Sequence, residues 1–268
     1  MQDAPDDSTT DRLFDPVDHD TVADAVVAQI EDMMVAGILR QGTRLPSERH
    51  LADLLDVSRP KLREALKRLE EAGLIEVRHG DGSYIAELTG QAMAPALIDL
   101  YGRHPGAFFD YLEYRRTQEA MASRLAAERA TPTDRDIIRG CMDRLRQTWI
   151  DADDQGSREA DIAFHSAVVD ASHNSTLIHM MGSIFALTRQ GVFYNRSFLR
   201  TIDGTGEKLI EQHMAIGQAI LDGDPVTAER AAGAHIDFVE MSFRKGLAQH
   251  QRETIARKRH LLLQQSRS

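Results

Sequence analysis

The feature that most narrows the fold is a single change of hydrophobic period. Two short β-prone runs, LIEVR and SYIAEL, flank His79-Gly80-Asp81-Gly82, and no run of that quality follows residue 90 of the 268. Together they predict one two-stranded hairpin. Upstream and downstream, apolar residues recur at helical spacing instead. Val22, Val26, Ile30, Met33 and Met34 mark one helix face, with Asp20 as its N-cap and Gly37 as its stop. After a turn at Gly42, Ser47 is placed to cap a short helix with Leu51, Leu54 and Leu55 pointing inward. Val57 falls in a tight turn, and Ser58 caps the next helix. Pro60 sits in that helix's first turn, where a missing N–H costs nothing. Leu62, Ala65, Leu66 and Leu69 form its buried face and Gly73 its end. The order helix, helix, turn, helix, hairpin predicts a winged helix-turn-helix over residues 20–88.

The fold as a whole is therefore expected to be mainly α. Residues 1–19 read as a disordered acidic leader, and 89–106, with Gly90 and Pro95, as a linker. Residues 107–246 predict an all-α bundle of six helices, spanning 107–130, 133–150, 157–172, 174–199, 205–222 and 225–246. Within it Met121, Phe185, Phe193 and Phe198 read as core packing. Residues 247–268 are expected to be a basic tail, loosely helical or frayed. No window approaches ~18 uninterrupted apolar residues, so no membrane helix is expected. The acidic N-terminus does not resemble a secretory signal, and the single Cys141 cannot close an intramolecular disulfide, so the expected location is cytoplasmic.

A net charge of -10 argues against nucleic acid until its distribution is considered. Residues 1–20 hold seven Asp and one Arg, whereas Ser58–Arg68 hold five basic residues against Glu64. Screening makes charge beyond ~8–10 Å nearly irrelevant, so a local basic surface can still bind phosphate. In a helix-turn-helix the N-terminal end of the second helix reaches base edges in the major groove. Here that end carries Ser58, Arg59, Lys61 and Arg63, with Arg59 and Arg63 four apart on one face. Arg49, one helix earlier, lies within reach of backbone or base, and His79-Gly80 suits a minor-groove probe. Taken singly, each residue reads better as part of a solvated basic face. The combination favours binding to double-stranded DNA.

The segment LPSERHLADLLDVSRPKLREALKRLEEAGLIEVRHGDGSYI resembles the DNA-binding domain of the GntR family of bacterial transcription regulators, in its FadR-like subgroup. The resemblance implies DNA contacts at Arg49, Arg59, Arg63, His79 and Gly80. It also implies a homodimer on a short pseudo-palindromic operator, with Lys61 tuning the operator sequence; the regulator is expected to be a repressor.

A second constellation lies in the bundle. Asp161 and His165 are four apart, and His213 and His235 fall on consecutive helices joined by a short turn, so all four can face one interior point. Three imidazoles and a carboxylate suit a divalent metal, Zn foremost, with Ni, Co or Mn also compatible. Each histidine alone reads more readily as a core or surface residue than as a ligand. Residues 107–243 resemble the FCD ligand-binding domain, which implies that Asp161, His165, His213 and His235 hold a metal. The same resemblance points Arg115 toward an effector cavity, against the alternative of a solvent-exposed pair with Glu119. RHPGAFFDYLEYRR and DASHNSTLIHMM are similar to regulators of lactate, glycolate and pyruvate metabolism, implying a small organic acid effector, a 2-hydroxy or 2-oxo acid. A metal-responsive regulator and a metal-dependent enzyme remain alternatives, although no HExxH, Ser-His-Asp motif or phosphate loop is present.

Overall fold

In the computed structural model, which describes residues 22–86, 104–189 and 205–265, helix α1 spans Val22–Val35. Its buried stripe is Ala23, Val26, Ile30 and Met34, whereas Val22 is half exposed. Gly37, at a φ of 71°, donates to the Met34 carbonyl and closes the helix as expected. The expected Asp20 cap lies outside the described residues. Helix α2, Glu48–Leu55, opens on Ser47, whose hydroxyl accepts from the His50 amide. Leu51 is buried, but Leu54 is 60% exposed, so only part of the expected inward face holds. The left-handed residue of the tight turn is Asp56, in keeping with the tolerance of Asp for that region.

Helix α3, Arg59–Glu71, buries the four expected residues Leu62, Ala65, Leu66 and Leu69. Ser58 occupies the N-cap position with extended backbone, yet its side chain makes no capping bond. The reason is local: an N-cap oxygen accepts from the second or third helical N–H, and Pro60 removes one of these. Strands β1, Ile75–Arg78, and β2, Gly82–Ile85, pair antiparallel with Ile75 opposite Ile85 and Arg78 opposite Gly82. The two isoleucines are buried in one core with α1 and α3, β2 also pairs with Thr43 and Leu45, and the tip of the hairpin is exposed as a wing.

The remaining helices form a second compact unit. They are α4 (Pro105–Arg129), α5 (Pro132–Ile150), α6 (Asp154–Asp170), α7 (Ser175–Arg189), α8 (Thr205–Asp222) and α9 (Pro225–Gln265). Their starts are chemically specified. Thr131 and Asp134 form a reciprocal capping box on α5, Asp153 caps α6 through the Gly156 amide, and Asp224 caps α9 through Thr227. The expected extension of α7 to residue 199, with Phe193 and Phe198, lies outside the described residues, as do the leader and most of the linker. Phe185 is buried, and Met121 packs against the same cluster, as expected. Phe164 is fully buried at the centre of the α5–α6–α8 core.

One expectation is corrected. Helix α9 does not stop near 246 but continues unbroken for 41 residues to Gln265. The segment contains no proline and is rich in good helix formers. It is supported by an Arg257–Glu253 pair at 3.0 Å. Its side chains from Leu247 to His260 are exposed apart from a half-buried Thr254, so local propensity rather than packing sustains it.

Candidate nucleic-acid interface and candidate metal centre

The first unit places its basic residues as the sequence suggests. Arg49, Ser58, Arg59 and Arg63 are exposed, and Lys61 is half-buried. Arg63 Nε donates to Glu48 Oε2 at 2.7 Å, and Lys61 Nζ to Glu64 Oε2 at 2.9 Å. These are surface pairs, worth at most ~1 kcal/mol each, so they can yield to phosphate or base contacts. His79 and Gly80 form the exposed wing tip, with Gly80 at a φ of 78°.

The wing has a brace that sequence reasoning missed. Arg44 donates to the Asp81 carbonyl oxygen, while the Tyr84 hydroxyl donates to Asp81 Oδ2 at 2.8 Å. Arg78 lies over the Tyr84 ring at 4.2 Å. Gly82 is needed beneath this brace. Its φ is 129°, and a Cβ there would meet Arg44 Nε at 3.4 Å. Arg44 lies 37 residues before Asp81, so no local pattern announces the contact.

In the second unit, α6, α8 and α9 bring Asp161, His165, His213 and His235 together, all buried. His213 Nε2 lies 3.2 Å from both His165 Nε2 and Asp161 Oδ1. One nitrogen from each histidine falls within 4.8 Å of the others. The outer nitrogens are anchored: His165 Nδ1 sits 2.7 Å from Glu119 Oε2, and His235 Nδ1 sits 3.1 Å from Gln212 Oε1. Each of these bonds leaves the Nε2 of its ring facing the cluster. Burial, then the neighbouring His213 and His165, push His235 well below the usual histidine range, so its imidazole is neutral.

Arg115 is only 4% exposed, not a solvent-facing residue. It does pair with Glu119, Nε to Oε1 at 2.6 Å, and its guanidinium lies near the Tyr111 and Phe185 rings. Burial alone would raise the Glu119 carboxyl, but Arg115 and His165 outweigh it and hold it at about 2. Burial likewise opposes the Arg115 charge, and Glu119 more than offsets it. Glu119 and Gln212 are the site residues that the sequence reading overlooked. The i,i+4 spacing from Arg115 announced one contact of Glu119, but its bond to His165 is made only by tertiary packing.

The donor set fits a divalent cation. At Zn–N distances of 2.0–2.1 Å, neighbouring nitrogens of a tetrahedron stand about 3.3 Å apart, close to the 3.2 Å separation of the two Nε2 atoms. A histidine ligand commonly donates its other N–H to a carboxylate or carbonyl oxygen, which fixes its tautomer. Glu119 and Gln212 are placed to accept such bonds from His165 and His235.

A basic, glycine-tipped winged helix-turn-helix joined to an all-α unit defines a DNA-binding transcription regulator. The chain belongs to the GntR family of bacterial regulatory proteins, whose family model matches residues 22–85, while the FCD domain model matches residues 110–238. It is 35% identical over 230 residues to the "Putative L-lactate dehydrogenase operon regulatory protein" of Escherichia coli K12, covering 84% of this chain and 86% of that one. It is 32% identical to the Glc operon transcriptional activator of the same organism, covering 82% of this chain and 87% of that one. Its identity to the HTH-type transcriptional regulator LutR of Bacillus subtilis is also 32%, covering 78% and 94%. These relatives are regulators, which answers the enzyme alternative.

Replacing Glu119 with Ala leaves Arg115 buried without its anion and is expected to cost about 3–5 kcal/mol. Urea denaturation of metal-free protein checks this. A loss below about 1 kcal/mol would be the signature of a solvated pair.

Proposed function

We propose that this regulator binds a pseudo-palindromic operator as a homodimer and represses, and that a small organic acid at a metal in the FCD domain alters its operator affinity. The observation that carries the proposal is the convergence of Asp161, His165 and His213 at 3.2 Å, with His235 alongside. Asp161, His165, His213 and His235 would hold a divalent ion, Zn foremost, with Ni, Co or Mn compatible. Such an ion supplies a Lewis-acid site for the paired oxygens of a 2-hydroxy or 2-oxo acid. Arg115, packed beside the Tyr111 and Phe185 rings and fixed by Glu119, orients a guanidinium toward a carboxylate. The 35% identity to a relative whose name refers to an L-lactate dehydrogenase operon supports the choice of acid.

On the DNA side, Arg49, Ser58, Arg59, Lys61 and Arg63 serve the major groove and the operator backbone, while His79-Gly80 probes the minor groove. Two recognition helices must lie about one DNA turn apart, ~34 Å, to enter successive grooves. An acid that prefers one dimer geometry therefore alters operator affinity. A tenfold change in occupancy needs about 1.4 kcal/mol of differential affinity.

Arg59→Ala is expected to lose about 1–3 kcal/mol of specific operator affinity while leaving the fold intact, since the residue is exposed. Fluorescence anisotropy against operator and scrambled duplexes checks this, and unchanged operator affinity would remove α3 from its role. In the same assay, lactate, glycolate or pyruvate at millimolar concentration should weaken operator binding by metal-loaded protein and have no effect after chelation. A response that survives complete metal removal would separate the acid site from the histidine cluster.

A further inference from the structure

Arg158 lies on α6 three residues before Asp161 and seven before His165, so all three share one helix face. It is half-buried, and its Nε is buried without a hydrogen-bond partner. A buried guanidinium N–H with no acceptor is costly and calls for a partner. The other arginine near the cluster, Arg115, is already neutralised by Glu119 at 2.6 Å. Among the described residues, Arg158 is thus the cation on this face whose donor is unspent.

Its height along α6 says what could satisfy it. Asp161 is roughly 4.5 Å and His165 roughly 10 Å further along the axis at 1.5 Å per residue. Asp161 Oδ1 and His165 Nε2 meet at His213 Nε2, which places the cluster between those two levels. Helical side chains lean toward the N-terminus, which carries the Arg158 guanidinium further from the cluster. A 2-hydroxy monocarboxylate spends its carboxylate and hydroxyl oxygens at the cluster and ends there. A carboxylate three C–C bonds further on reaches roughly 4 Å beyond.

We infer that Arg158 is a second anion-recognising residue of the effector site and favours a 2-hydroxy acid carrying two carboxylates over one carrying a single carboxylate. This rests on the proposed acid site at the histidine cluster. The inferred contact is a charge-assisted hydrogen bond from the guanidinium to the distal carboxylate, with no chemistry at either partner.

The test is isothermal titration of full-length, zinc-loaded protein with lactate and with malate, which differ by the second carboxylate. Wild-type protein should bind malate about tenfold more tightly than lactate, a difference one charge-assisted contact can supply. Arg158→Gln should erase that preference and leave lactate affinity within about twofold, and Arg158→Lys should restore part of it by keeping the charge. Equal affinity for the two acids in wild-type protein, or equal weakening of both by Arg158→Gln, overturns the inference while leaving the acid site standing. Failure of both acids to bind overturns the acid site itself, and this inference with it.

Discussion

A buried carboxylate, Glu119, ties together two things that a helical bundle does not easily hold. With one oxygen it neutralises Arg115, and with the other it fixes the His165 ring. Taking an arginine and a carboxylate out of water costs several kcal/mol per ion, which only close and fully hydrogen-bonded geometry repays. Glu119 therefore links α4 to α6 and orients the His165 ring toward His213. The formal charges of Arg115, Glu119 and Asp161 sum to −1, and His235 is held neutral. The Nε2 atoms of His165 and His213 stand 3.2 Å apart, the separation of neighbouring ligands around one zinc ion.

The winged unit follows a different logic. Its small core is made by one face each of α1, α2 and α3 together with Leu45, Ile75 and Ile85. That core leaves the basic face of α3 and the wing tip outside. The wing is steadied by Arg44, Asp81 and Tyr84 rather than by burial. Such polar bracing suits a hairpin whose outer surface must remain available to a charged partner.

Much of this was legible in the residues because it depends on local spacing. The buried face Leu62, Ala65, Leu66 and Leu69, the hairpin and its glycine tip, and the caps at Ser47 and Asp224 are all set within a few residues of each other. The pairing of Asp161 with His165 is equally local. What sequence could not reveal was set by packing at a distance. The second bond of Glu119, the Gln212 contact to His235 and the Arg44 brace each join residues far apart in the chain. The stripe of a two-turn helix is too short to fix its rotation by pattern alone, so the pattern did not show that Leu54 is exposed. At α9 the basic composition of the last residues suggested fraying, but intrinsic helix propensity carries the helix through.

Asp161, His165, His213 and His235 are proposed to form one metal centre. Cobalt substitution followed by a pH titration of its visible absorption tests it most directly. Bound cobalt should give ligand-field bands characteristic of nitrogen ligation near neutral pH, which fade on acidification, because protons compete for the same nitrogens. His213→Ala should lack those bands at every pH. Absence of ligand-field bands in wild-type protein at neutral pH, or bands unchanged by His213→Ala, would contradict the account.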